Sequence, residues 1–111
     1  MTIEVREYET ADGGCPFRDW LESLDRPTRA RIQARVLRFE TGNLGDHKSV
    51  GGGVQEARVM FGPGYRIYFG QEGKTLVLLL VGGTKGTQVP DIARAQDYWR
   101  DYQKGKQRGP T

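Results

Sequence analysis

From Ile3 to Tyr8 the chain alternates, Ile3 and Val5 against Glu4 and Arg6, which predicts a short strand. Gly13-Gly14 ends it, and Pro16 suits the first turn of a helix, where its missing N–H costs nothing. Phe17, Trp20, Leu21 and Leu24 follow at i, i+3, i+4 and i+7, the spacing of one helical face. Asp25 is placed to cap a second helix, with Pro27 in its first turn and Gly42 at its end. Ile32, Val36 and Phe39 form its apolar stripe, and so short a connection predicts an antiparallel helical hairpin.

Gly42 to Gly53 holds five of the sixteen glycines and reads as a flexible loop. Val54 to Phe61 then alternates, with Ala57, Val59 and Phe61 on the greasier face and Glu56 and Arg58 opposite. Gly62-Pro63-Gly64 is a turn, and Tyr65 to Phe69 the returning strand of a hairpin. After the turn at Glu72-Gly73-Lys74, Leu76 to Val81 is continuously apolar, as in a strand covered on both faces. Past Gly82-Gly83 a last helix begins near Val89, with Ile92, Ala95, Trp99 and Tyr102 on one face. The order β-α-α-β-β-β-α is an α+β fold, a mostly antiparallel four-stranded sheet packed by helices.

A chain of 111 residues makes one core, assigned to residues 1–103, with residues 104–111 as a basic tail expected to be disordered. The longest apolar run is too short to span a membrane, and the N-terminus lacks the pattern of a secretory signal. Cys15 is the single cysteine, which fits a reducing cytoplasm. One Cys and one His do not make a zinc site, so no metal and no cofactor is expected.

Charge changes the picture more. Residues 1 to 25 carry seven acids against Arg6 and Arg18, whereas the remainder carries fifteen Lys or Arg against seven acids. A basic body of that kind points to an anionic partner, nucleic acid first. Arg31, Arg35 and Arg38 fall at i, i+4 and i+7, a basic ridge on the second helix suited to a phosphate backbone or to an acidic partner segment. On strand geometry Arg58 and Arg66 share a face with Glu56 and Tyr68, an open surface on which Glu56 would pair with one arginine. Lys85 lies beyond the last strand, and Lys48 in the glycine loop could swing nearby.

Guanidinium forks match phosphate oxygens and stay charged at all physiological pH values. A pentacoordinate phosphorane carries more negative charge than the diester, so fixed cations favour the transition state. No Asp/Glu cluster suggests a catalytic Mg²⁺, and no histidine pair suggests an acid and a base. A metal-free cleavage would have the 2′-hydroxyl of the RNA itself attack, with the protein supplying charge and orientation. "GGTKGT" lacks the spacing of a nucleotide-binding loop, which removes nucleotide hydrolysis.

The runs "FRDWLESL", "RARIQARVLRFETGNLGDHKSVGGGVQEARVMFGPGYRIYF" and "LLLVGGTKGTQVPDIARAQDYW" resemble the RelE/ParE superfamily of bacterial toxins, closest to its HigB-like addiction-module killer branch. The resemblance covers residues 3 to 102. It implies a RelE-like fold and a type II toxin of the cytoplasm, silenced by an antitoxin, often a helix-turn-helix protein encoded next door. RelE-like members cleave mRNA on the ribosome without metal. Arg66 matches the arginine of the G-Y-R motif, Lys85 the basic position after the last strand, and Arg58 a basic position on the preceding strand. Lys48, Gln88 and the Arg31/Arg35/Arg38 ridge are then expected to contact RNA. The acid and base stay open: Tyr98 and Tyr102 have core-like spacing, and His47 reads as a solvated loop residue. ParE-like members share the fold and poison DNA gyrase by binding, which is the alternative.

Overall fold

The computed structural model describes residues 2–108, with side chains to residue 105. The elements run β1 (Glu4–Glu7), α1 (Pro16–Glu22), α2 (Arg26–Glu40), β2 (His47–Gly51), β3 (Val54–Val59), β4 (Tyr65–Glu72), β5 (Leu76–Thr84), a 3₁₀ turn (Lys85–Thr87) and α3 (Gln88–Arg108). One mixed sheet has the order β1-β5-β4-β3-β2; β1 runs parallel to β5, and the other neighbours are antiparallel. The α+β class is as expected. The four-stranded count is corrected to five, because the segment taken for a flexible loop contributes β2.

The glycines hid that strand. Gly51, Gly52 and Gly53 all have positive φ (93°, 63° and 84°), the left-handed backbone that glycine alone adopts cheaply. They turn the chain from β2 to β3 beneath α3. A side chain at Gly53 would overlap Trp99, and Gln96 donates to the Val50 carbonyl at 3.2 Å. The glycine density therefore marks a tight, anchored turn.

Alternation in the strands sorts two cores onto the two faces of the sheet. Ala57, Ile67, Phe69, Val77 and Leu79 face Phe17, Leu21, Ile32 and Phe39 of α1 and α2. Val54, Tyr68, Leu78, Leu80 and Val81 face Ala95 and Trp99 of α3. A register shift opposite Tyr68/Phe69 lets Leu80 and Val81, adjacent in β5, join the same core. Each face also seats a tryptophan on a glycine of the sheet, Trp20 over Gly82 and Trp99 over Gly70, where no side chain would fit.

Ala57, Val59, Tyr65, Ile67 and Phe69 take the greasy face as the alternation predicts, but β3 ends at Val59, so Phe61 lies beyond it and outside that core, and the opposite face is not open. α3 covers it and buries Glu56, Tyr68 and Arg66. Alternation tells which side of a strand a residue takes, not what lies over it. At the other end of the chain α3 continues to Arg108, so the start of the expected tail is helical, and residues 109–111 lie outside the described part. No helix among the described residues is long and apolar enough to cross a membrane.

Candidate functional site

Arg58 and Arg66 are direct partners in the β3–β4 register, so both project from the α3 face of the sheet. The next residue across the ladder is Gly83, whose missing side chain leaves room for the Asp91 carboxylate of α3. Lys85 follows where the chain leaves β5, and its backbone N–H donates to Gly64 O at 2.9 Å. That bond ties the turn after β5 to the β3–β4 turn. Arg58, Arg66 and Lys85 thereby line one open cleft of about 460 Å³, together with Met60, Phe61 and the Gly62-Pro63-Gly64 turn. Three cations widely separated in sequence thus meet, and no acid lies among the lining residues.

The three are held differently. Arg58 pairs with Asp46 at 2.9 Å, and this guanidinium holds the Asp46 carboxyl below its usual range. Asp46, not Glu56, is thus the partner of an arginine here. Lys85 is exposed. Arg66 is only 7% exposed, yet its side chain makes no hydrogen bond or ion pair among the described residues. Burying a cation without a partner is costly, and such groups collect at sites where an anion completes them.

Behind the cleft lies a polar layer that strand alternation only half revealed. Glu56 is fully buried and accepts from the Gln88 side chain at 2.9 Å, with the Tyr68 phenol beside the same carboxylate. Tyr68, also fully buried, has its phenol pushed up by burial first and then by the Glu56 and Asp91 carboxylates. Gln88 therefore has its amide directed inward at the start of α3. Thr87 bonds Asp91 and caps the backbone at Thr84, which fixes the turn that carries Lys85.

Lys48 projects from the exposed edge strand β2, in register with Glu56 and outside the cleft lining. The helical ridge divides. Arg35 is buried and donates to the carbonyls of Arg58 (2.6 Å), Leu44 (3.0 Å) and Asp46 (3.0 Å), so it is a strut between α2, the β2 approach and β3. Arg31 and Arg38 stay exposed, with Arg31 4.1 Å above the Phe61 ring centre. His47 opens β2, exposed, its Nδ1 2.8 Å from Gly45 O. Asp46, Asp91 and Glu56 carry no motif in the sequence. Asp46 became visible only when the β2 register brought it beside Arg58.

No family model matches the chain. An uncharacterized protein of Haemophilus influenzae is 41% identical over 97 residues, spanning 86% of this chain and 92% of that protein. Identity of that extent over nearly both full lengths places the two in one family: the chain belongs to the family of this Haemophilus influenzae protein.

Proposed function

We propose that the protein is a RelE-like toxin of a type II toxin–antitoxin system, a metal-free, ribosome-dependent mRNA endonuclease. One observation carries the reading: a buried, unpartnered Arg66 beside Arg58 and Lys85 in a cleft lined by no acid. A phosphodiester supplies the missing partner, and the planar fork of arginine fits its oxygens. The 2′-hydroxyl attacks the adjacent phosphorus, the bond to the 5′-oxygen breaks, and the proton lost from the 2′-hydroxyl is balanced by one that the departing 5′-oxygen takes up through water, so a 2′,3′-cyclic phosphate and a 5′-hydroxyl result. Arg66 and Arg58 hold the equatorial oxygens, and Lys85 neutralises charge as it grows. The cations are preorganised, so little reorganisation is needed when the phosphorane forms.

In this reading the protein acts in the cytoplasm, its partners are the ribosome and mRNA, and a cognate antitoxin covers the cleft. The RelE-like resemblance of residues 3 to 102 supports the assignment, as does the α+β fold with helices on both faces of the sheet.

The test is primer extension on a reporter mRNA after brief induction of wild type, Arg66→Gln and Lys85→Gln. Cuts within translated codons, lost in Arg66→Gln and weakened in Lys85→Gln, are expected. Lys85 is exposed, so its variant keeps the fold if the buried substitution does not. Growth arrest with intact mRNA would overturn the nuclease reading in favour of a gyrase poison that acts by binding.

A further inference from the structure

Met60 and Phe61 line two clefts at once. One holds Arg58, Arg66 and Lys85; the other, about 270 Å³, holds Arg31 and Arg38. Neither lining includes an acid. The two side chains therefore form a ridge between two cationic recesses.

Arg35 also borders the smaller recess, but its guanidinium is committed to three backbone carbonyls. The side chains of Arg31 and Arg38 have no hydrogen bond or ion pair among the described residues and remain free to meet an anion. The ridge itself is apolar and polarizable. Met60 is 81% exposed, and the Arg31 guanidinium lies over the Phe61 ring. A lone exposed methionine needs no explanation. Here, however, it stands beside a cation-capped ring with phosphate-seeking groups on either side.

We infer that the Met60–Phe61 ridge is a base platform for single-stranded RNA. One unpaired base rests on Met60 and the Arg31–Phe61 pair; the phosphate on one side enters the Arg58/Arg66/Lys85 cleft, and that on the other meets Arg31 and Arg38. This rests on the nuclease reading and adds to it the strand's path and its single-stranded state. A duplex hides the faces of its bases and offers the ridge nothing to stack on. Base stacking with flanking cations is how sequence-tolerant single-strand binders hold their ligand. An acidic peptide would satisfy the cations but has no need of the ridge.

The experiment is fluorescence anisotropy with two labelled probes, a 2′-O-methyl adenosine hexamer, which cannot be cleaved, and an abasic hexamer with the same phosphates. Wild type is expected to bind the adenosine probe roughly tenfold more tightly than the abasic one. Met60→Ala should lose most of that preference yet keep its salt dependence, whereas Arg31→Gln should lower the slope of log K against log salt by about 1. Equal binding of the two probes by wild type, or full preference in Met60→Ala, would overturn the platform. So would tighter binding of a polyglutamate peptide that also depends on Met60, because the ridge would then serve an acidic protein partner. The nuclease reading is judged separately. Cuts in cells abolished by Arg66→Gln but untouched in rate and position by Met60→Ala would leave the nuclease standing and remove the platform.

Discussion

Arg66 stands directly opposite Arg58 across the β3–β4 ladder, and of the two only Arg58 has a carboxylate within ion-pair distance among the described residues. Like charges directly opposite on a sheet destabilise it. Asp46 relieves half of that cost. The other half is the mark of the site: Arg66 is buried with no hydrogen bond or ion pair of its own among the described residues and feels Asp46 only at longer range.

Replacing Arg66 by an apolar residue of similar length should therefore stabilise the protein while it removes function. Arg66→Met deletes a buried guanidinium that makes no hydrogen bond or ion pair among the described residues, and replacing whole buried ion pairs by apolar side chains in other proteins is neutral or stabilising by about 1–4 kcal/mol. An increase of about 1 kcal/mol, near 4 °C in Tm, is expected by calorimetry, together with, if the proposed toxin function holds, loss of growth arrest in cells. A less stable Arg66→Met protein would mean that the guanidinium is matched within the fold.

Asp46→Asn should free the Arg58 fork without disturbing the sheet. Because Arg58 depresses the Asp46 carboxyl, the attraction is present above the ordinary carboxylate range and is lost as pH falls through the lowered value. Both side chains reach solvent, so the loss of stability at pH 7 should be small. The clearer readout is binding to an RNA oligomer, expected to tighten in Asp46→Asn at pH 7. Unchanged affinity would show that Arg58 already leaves Asp46 for the ligand at no cost.

The two surviving ridge arginines and the strut should separate cleanly on mutation. Arg35→Ala removes three hydrogen bonds, though Asp46 O keeps the Arg58 backbone N–H, and should cost about 2 kcal/mol or more in urea unfolding. Arg38→Ala, at an exposed position, should fall within about 0.5 kcal/mol of wild type. Equal costs would contradict the division between strut and surface.

Gly70→Ala and Gly82→Ala should each push a tryptophan off the sheet, Trp99 on one face and Trp20 on the other. Overpacking of this kind costs about 1–3 kcal/mol. Urea unfolding followed by tryptophan fluorescence reports both the cost and, through the native emission, which ring has moved. Wild-type stability in either variant would show that the ring relaxes freely.

Cys15 donates to Glu7 Oε1 at 3.1 Å, and burial first, with this carboxylate second, raises its thiol above the ordinary range. Iodoacetamide at pH 8 should alkylate it more slowly than a free cysteine, with the difference gone in urea. Glu7 itself is pushed up by burial, but the bonds from Arg18 and Cys15 outweigh this and leave it lowered. Arg18→Gln should therefore lose about 0.5 kcal/mol at pH 7 and nothing once the carboxyl is protonated.

Much of this molecule was legible along the chain. The α+β class, the two helices after Pro16 and Asp25, the hairpin around Gly62-Pro63-Gly64 and the doubly covered Leu76–Val81 strand rest on local periodicity and turn chemistry. Those act over a few residues, so they are written in consecutive positions. The sharing of one face by Arg58 and Arg66 is of the same kind, because a tight turn sets the register of its strands.

What the tertiary structure decided depends on elements that meet from afar. β2 is a strand because β3 offers it an edge and α3 roofs its glycine turn. Arg66 is buried because α3, more than twenty residues on, covers that face. Arg35 turned inward because the carbonyls of Leu44, Asp46 and Arg58, brought together by the bends around β2 and β3, converge on one guanidinium. Periodicity records which residues avoid water, but the partner of each buried charge is set by packing between distant segments, and no local pattern encodes it.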